Sequence, residues 1–209
     1  MTHGKLSVAL AACFVSAVSC GPARADPPEI VDYGSSRVSG GPGGGPFRHF
    51  CKTSQYVTGL LVSSGDNIDS NAAFCSFLSP DKTVFYRGVP DQTDKAGGNG
   101  GGERAARCAP NQYVSGLKYG FTRDGNQPKF LDYVEITCQP LQPTGNASTV
   151  CLGTNDNGCW DRYPSPGPYN GYGLAFSANC RYTNFMIGLI GRSGQYVDAL
   201  GIECLPRPR

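Results

Sequence analysis

Short runs in which apolar and polar residues alternate dominate this chain. In 132–138, Val134 and Ile136 fall on the same side as Cys138; in 198–204, Leu200 and Ile202 fall on the same side as Cys204. Successive side chains of a strand point to opposite faces, so each run predicts a strand with one face toward a core. The matching run 69–75 carries Asn71 and Ala73 at those places and has the weaker apolar face. Before each run lies a segment rich in aromatic and β-branched residues, at 55–62, 112–119 and 184–190, a composition that favours strands. Turn-like residues join each pair, so the pattern predicts three hairpins. A further strand is expected at 82–87. A lone hairpin is marginal, so each is expected to sit in a small sheet of three or four strands, with three sheets burying their inner faces around one axis. No amphipathic helical period follows residue 25.

The three hairpins are copies of one pattern. It reads Cys, an aromatic five residues on, Gly at eight, then Asp followed six residues later by Cys. The copies are Cys51, Tyr56, Gly59, Asp69, Cys75; Cys108, Tyr113, Gly116, Asp132, Cys138; and Cys180, Phe185, Gly188, Asp198, Cys204. Gly and Asp are ten residues apart in copies one and three and sixteen in copy two. Glycine-rich segments precede the copies, at 40–45, 97–102 and 167–173. Self-similarity at this scale marks one supersecondary unit used three times.

The repeats span most of the 209 residues, so 26–209 is expected to form a single domain. Residues 1–25 have the form of a secretory signal. Lys5 precedes an apolar run from Leu6 to Ser19 that is too short to cross a bilayer, and Ala23-Arg24-Ala25 offers a small-x-small cleavage site before Asp26. A lipid-modified Cys20, after Ser16-Ala17-Val18-Ser19, is the minor alternative. Cleavage removes Lys5 and Arg24 and no acid, so the formal charge falls from +2 to zero. A neutral surface argues against nucleic acid, which needs clustered Lys and Arg, and against an anionic membrane surface. No segment predicts a membrane span.

Cys13 and Cys20 lie in the signal, leaving eight cysteines, an even number that implies disulfides in an exported chain. If the two Cys of a repeat face each other across its hairpin, the turn centres fall at Ser63, Arg123 and Arg192, all within turn-like sequence. The register thus predicts Cys51–Cys75, Cys108–Cys138 and Cys180–Cys204. Cys151 and Cys159 remain and would close a small loop. With no Cys-x-x-Cys and only His49 outside the signal, no metal site is expected, and no cofactor.

The segment Gly191-Arg192-Ser193-Gly194-Gln195-Tyr196-Val197-Asp198 resembles the Ser-Gly-x-Tyr-x-Asp signature of jacalin-related lectins. Copy one is similar, with Ser64, Gly65 and Asp69 but Asn67 at the Tyr position; copy two keeps Asp132 with Phe130 at the aromatic place. The resemblance covers roughly 40–75, 97–138 and 170–204. It implies an all-β fold, a β-prism of three Greek-key sheets with pseudo-threefold symmetry. Cysteines at both ends of each repeat are not typical of those lectins and are more similar to vitelline membrane outer layer proteins, which share the prism. The fold expectation is therefore a disulfide-stapled prism, while the function expectation divides.

In the lectins a sugar sits between a glycine loop and the Ser-Gly-x-Tyr-x-Asp turn. The chemistry suits those residue types. An ionised Asp offers two acceptor oxygens to sugar hydroxyls, glycines let backbone approach a ligand closely, and an aromatic can cover an apolar sugar face. The resemblance implies that the last turn faces the first glycine loop, which gives Gly43, Gly44, Ser193, Gly194, Gln195, Tyr196 and Asp198 as the candidate site, with Asp69 as a second. Asp198 is expected at the surface with Tyr196 beside it. A blander role stands next to this one, because Asp also holds turns by accepting backbone N–H bonds. Tyr196 is equally suited to packing on a strand, and Trp160, beside Cys159, to a local structural role. The longer second turn makes copy two the least suited site.

The expected function is a secreted, non-catalytic, lectin-like protein whose partners are glycans or glycoproteins. The alternative is a structural or coat protein on the same prism without sugar binding. An enzyme is disfavoured, since His49 lacks a nucleophile motif around it and no carboxylate pair suggests glycoside hydrolysis. Asn146-Ala147-Ser148 is a glycosylation sequon, meaningful only in a eukaryotic secretory pathway.

Overall fold

The computed structural model describes residues 29–31, 34–142, 145–153, 174–181 and 184–208. Within them every regular element is a strand. In chain order these are β1 (Glu29–Val31), β2 (Gly34–Ser35), β3 (Ser39–Gly40), β4 (Gly45–Phe50), β5 (Gln55–Ser64), β6 (Ile68–Leu78), β7 (Phe85–Gln92) and β8 (Ala96–Gly97). They continue with β9 (Gly102–Arg107), β10 (Gln112–Asp124), β11 (Gln127–Pro140), β12 (Ser148–Gly153), β13 (Leu174–Cys180), β14 (Asn184–Ser193) and β15 (Val197–Pro206). The three alternating patterns form the hairpins β5/β6, β10/β11 and β14/β15, each the centre of its own sheet. The expected strand at 82–87 starts only at Phe85. Before it, Lys82 adopts a left-handed φ of 60° and donates its N–H to the Ser79 carbonyl, which makes those residues a turn.

Two five-stranded sheets contain the runs β9-β5-β6-β7 and β13-β10-β11-β12, the fourth-first-second-third order of a Greek key, with β8 beside β6 in the first and β1 beside β13 in the second. The third contains the run β4-β14-β15-β2, with β3 also paired to β15. Its order is the same, but its two outer strands come from the N-terminal side of the chain, so it is a circular permutation of the others. The expectation that each repeat makes a sheet of its own is corrected here. The strand that runs into each repeat's first cysteine pairs with the hairpin of the repeat before it, and β4, which runs into Cys51, closes the ring on β14.

This interleaving explains the repeated glycine. Gly59 lies against Ala106 and Arg107, Gly116 against Ala178 and Asn179, and Gly188 against His49 and Phe50. A β-carbon at any of the three would overlap the incoming strand, and at each of them the hairpin register shifts by a bulge. The repeated aromatic has an equally simple cause. Tyr56, Tyr113 and Phe185 meet in one cluster, with the Tyr56 and Tyr113 rings 4.6 and 4.4 Å from that of Phe185. The Tyr113–Phe185 contact is edge-on and the Tyr56–Phe185 contact tilted, and such contacts add to the burial of large apolar area.

The inner faces of the sheets make one core. Leu60, Leu117 and Leu189 follow the three glycines, and Ile68, Leu131 and Val197 precede the three aspartates; all are buried there. Each such side chain contributes about 1.5–3 kcal/mol by leaving water. Asn71 is the discordant member. It stands opposite Val62 on the inner face, 3% exposed, and neither its amide nitrogen nor its oxygen has a hydrogen-bond partner.

Three disulfides staple the hairpins as the register predicts: Cys51–Cys75, Cys108–Cys138 and Cys180–Cys204. Cys151 is also disulfide-bonded. Cys159, Trp160, the glycine segment 167–173 and the signal region 1–25 lie outside the described residues.

Candidate functional site

The hairpin turns and the first two glycine segments gather at the end of the prism opposite the Tyr56–Tyr113–Phe185 cluster. Segment 40–45 lies on turn three. The Gly41 N–H donates to the Asp198 carbonyl at 2.7 Å. A β-carbon at Gly43 would run into Asp198 Oδ1, and one at Gly44 would come within 2.6 Å of Oδ2. Gly44 also has a φ of +61°, which disfavours any side chain. The glycines therefore let two backbone segments close around one carboxylate. Arg192 clamps the arrangement, donating from Nε to the Gly43 carbonyl (2.9 Å) and from Nη2 to the Gly44 carbonyl (2.7 Å).

Turn three is closed by the Gly194 N–H, which donates to the Tyr196 carbonyl at 2.9 Å and also to the Asp198 carboxylate. Asp198 is 6% exposed, so the expectation of a surface carboxylate is not met. The glycine segment has folded against it. Burial pushes its pKa up, opposed by the Gly194 hydrogen bond and the charge of Arg192. Around it Gly43, Gly44, Gly194 and Gln195 are exposed, while Ser193 and Tyr196 are half-buried. The carboxylate thus lies at the bottom of a shallow cradle rimmed by backbone.

Turn one has the same cradle. The Gly98 N–H donates to the Asp69 carbonyl at 2.9 Å, and the Gly65 N–H to the Asn67 carbonyl at 3.0 Å. A β-carbon at Gly100 would lie 2.8 Å from Asp69 Oδ1, and one at Gly101 would lie 2.6 Å from Oδ2. Gly101 has a φ of +71°, matching Gly44. Sequence reasoning included Asp69 but missed Gly100 and Gly101. The signal was present: if the first glycine segment meets the third turn, the threefold repeat puts the second segment on the first turn. The two cradles also touch, since Gly98 packs on the Gln195 carbonyl.

Turn two differs. β10 and β11 continue to Asp124 and Gln127, closing through Gly125 and Asn126. Asp132 is buried. The extended hairpin leans on the first glycine segment, with the Pro128 and Lys129 carbonyls each 2.8 Å from where a Gly41 β-carbon would stand. Phe130 packs on Tyr196, ring centroids 4.6 Å apart. The extension is therefore a wall beside the turn-three cradle, and Tyr196 is held against it.

No protein-family model matches this sequence, and no curated protein matches it. Solved structures do. Malaysian banana lectin aligns with a TM-score of 0.52 at 17% identity, over 83% of this chain and 98% of the lectin. Calystegia sepium agglutinin gives 0.52 at 19%, over 83% and 96%. A mannose-binding jacalin-related lectin from Ananas comosus gives 0.50 at 17%, over 83% and 97%. The fold is the jacalin-related β-prism. At these identities the likeness is one of fold. Among the described residues of this prism, no group of three or more His, Cys, Asp or Glu could hold a metal ion. Nor is any helix among them long and apolar enough to cross a membrane.

Proposed function

We propose that this β-prism is a secreted, non-catalytic carbohydrate-binding protein that takes sugar hydroxyls in the turn-three and turn-one cradles. The observation that carries the reading is the doubled arrangement of an Asp carboxylate beneath two side-chain-free glycines: Asp198 under Gly43 and Gly44, and Asp69 under Gly100 and Gly101. Two neighbouring sugar hydroxyls can donate to the two carboxylate oxygens, and the exposed turn backbone can donate in return. A hydrogen bond to a charged group contributes about 1.5–3 kcal/mol, so a few of them suit a weak, reversible sugar site. Solved relatives of the fold are named as lectins, one as mannose-binding and one in complex with a biantennary N-glycan, which supports the ligand class. Tyr196 shapes the wall of the turn-three cradle together with Phe130. Disulfide staples suit an oxidising, extracellular setting.

The test is a glycan array followed by calorimetry on the oxidised protein lacking residues 1–25. Binding competed by a free monosaccharide and lost in Asp198→Ala and Asp69→Ala, with melting unchanged, is the expected result. If no glycan binds the wild type, the prism is a scaffold and the reading fails. If Asp198→Ala unfolds the chain, that Asp is a turn-holding residue.

A further inference from the structure

A second kind of site lies away from the turns. Beside the aromatic cluster, a cleft of about 300 Å³ opens on the outer face of the first sheet. Its walls include Arg87 of β7, Arg107 of β9, and the hydroxyls of Thr58 and Ser76. Thr58 is six residues along β5 from Ser64 at the turn, which at the strand rise places the cleft about 20 Å from the turn-one cradle.

No carboxylate lines this cleft. Asp91 stands behind it and holds both arginines through one oxygen, 3.0 Å from Arg87 Nε and 3.3 Å from Arg107 Nη2. Two cations on one anion leave a net positive charge facing the cleft, and neither arginine has another ion pair among the described residues. Arg107 is further fixed with its guanidinium 3.4 Å from the Phe74 ring centroid, laid across bare Gly59. Burial and the nearby charge of Arg87 both lower its pKa from the usual value, against the opposing pull of Asp91.

The hydroxyls add a second observation. Thr58 Oγ1 and Ser76 Oγ are buried and 2.8 Å apart, so one donates to the other. A pair of hydroxyls has two protons and this contact uses one. The second has no acceptor among the described residues.

We infer that this cleft binds a sulfate-type oxyanion, held by Arg87 and Arg107 and by the spare proton of the Thr58–Ser76 pair. A planar guanidinium fork matches such oxygens two at a time. The source is either an acidic substituent on a saccharide or a free anion. The site does not depend on the cradles at the turns.

The test uses the oxidised protein carrying Asp198→Asn and Asp69→Asn, so that the turn cradles are silent. Calorimetry is run with a sulfated heparin-type oligosaccharide, its desulfated counterpart, and inorganic sulfate. The sulfated probe is expected to bind and the desulfated one not, with affinity falling as salt rises. Arg87→Gln, whose side chain is 72% exposed, should leave melting unchanged and weaken binding at least tenfold. Ser76→Ala should weaken it less, by about three- to tenfold. Binding of inorganic sulfate at similar affinity identifies a free anion as the ligand, and its absence identifies the saccharide; either result supports the site. No binding of any sulfated probe, or binding that Arg87→Gln and Ser76→Ala leave unchanged, overturns it.

Discussion

Repeats one and three hold their aspartates in the same backbone cradle and surround them with different side chains. Gly100 and Gly101 on Asp69 reproduce Gly43 and Gly44 on Asp198 down to the positive φ of the second glycine. Yet turn three has Arg192 where turn one has Ser63, and Tyr196 where turn one has Asn67. The neighbourhood differs as well, because only turn three is walled by the extended second hairpin through Phe130. The cradle is therefore a property of the fold, set by glycines and hydrogen-bonded backbone. On the proposed function, selectivity would fall to the few side chains that the repeats do not share.

The sharpest way to break this parallel is to fill one cradle at a time. Gly44→Val and Gly101→Val each place a side chain at positive φ against an Asp carboxylate. Each should abolish one site and cost on the order of 1–3 kcal/mol of stability. Calorimetric stoichiometry should fall from two sugars to one in either variant and to none in both together. A wild-type stoichiometry of one, lost in one variant and kept in the other, would show that only one cradle binds.

A gentler change removes charge and keeps shape. Asp198→Asn and Asp69→Asn should each weaken their own site by about 10- to 100-fold, the worth of a charge-assisted hydrogen bond. Asp198 also has a pH signature. Its folded pKa is raised, so folding favours its neutral form, and its ionisation costs stability as pH rises through that value. At neutral pH Asp198→Asn should accordingly melt no lower than wild type. Acidification should weaken sugar binding at turn three from a pH above the ordinary carboxylate range, and the Asn variant should lose that acid limb. A wild-type binding profile flat down to about pH 3, below the ordinary carboxylate range, would remove the carboxylate from the site.

Smaller effects test the differences themselves. Arg192→Ala frees the Gly43 and Gly44 carbonyls and should weaken turn three several-fold while leaving turn one unchanged, as read for turn three in the Gly101→Val background and for turn one in the Gly44→Val background. In the core, repeat one departs from its siblings at Asn71, where they carry Val134 and Leu200. Replacing a buried amide that has no partner should help, so Asn71→Val is expected to raise stability by about 1 kcal/mol in chemical denaturation. A destabilised variant would show that the amide has a use in the core.

The parts of this architecture that could be read from sequence are those in which one residue type answers one backbone constraint. Cysteines mark where two strands of a hairpin lie opposite, which is why the three bridges followed from the register alone. The glycine at position eight marks where a neighbouring strand crosses, and the aromatic marks the closed end of the prism. What could not be read depends on which chain segments meet. Nothing local says that β9 joins the hairpin of repeat one, or that β4 crosses to β14. Tyr196 on Phe130 depends on the direction in which the longer second hairpin leans. The burial of Asp198 depends on how tightly segment 40–45 folds down, and Arg192, read only as a turn residue, becomes a clamp through that same contact.

Ring closure by β4 also sets an order in time. Every residue of the turn-one cradle lies between Ser64 and Gly101, so that cradle is complete once β9 has left the ribosome. The turn-three cradle joins Arg192 to Gly43, 149 positions earlier in the chain, and waits for the last hairpin. At synthesis rates of roughly 5–20 residues per second, the interval is on the order of 5–20 s. Through it β4 lacks its partner strand, leaving Phe47, buried in the finished prism, and unpaired backbone groups open to any neighbouring chain. The nascent protein is thus one-handed before it is two-handed, and the hand that arrives last is the one that seals the molecule.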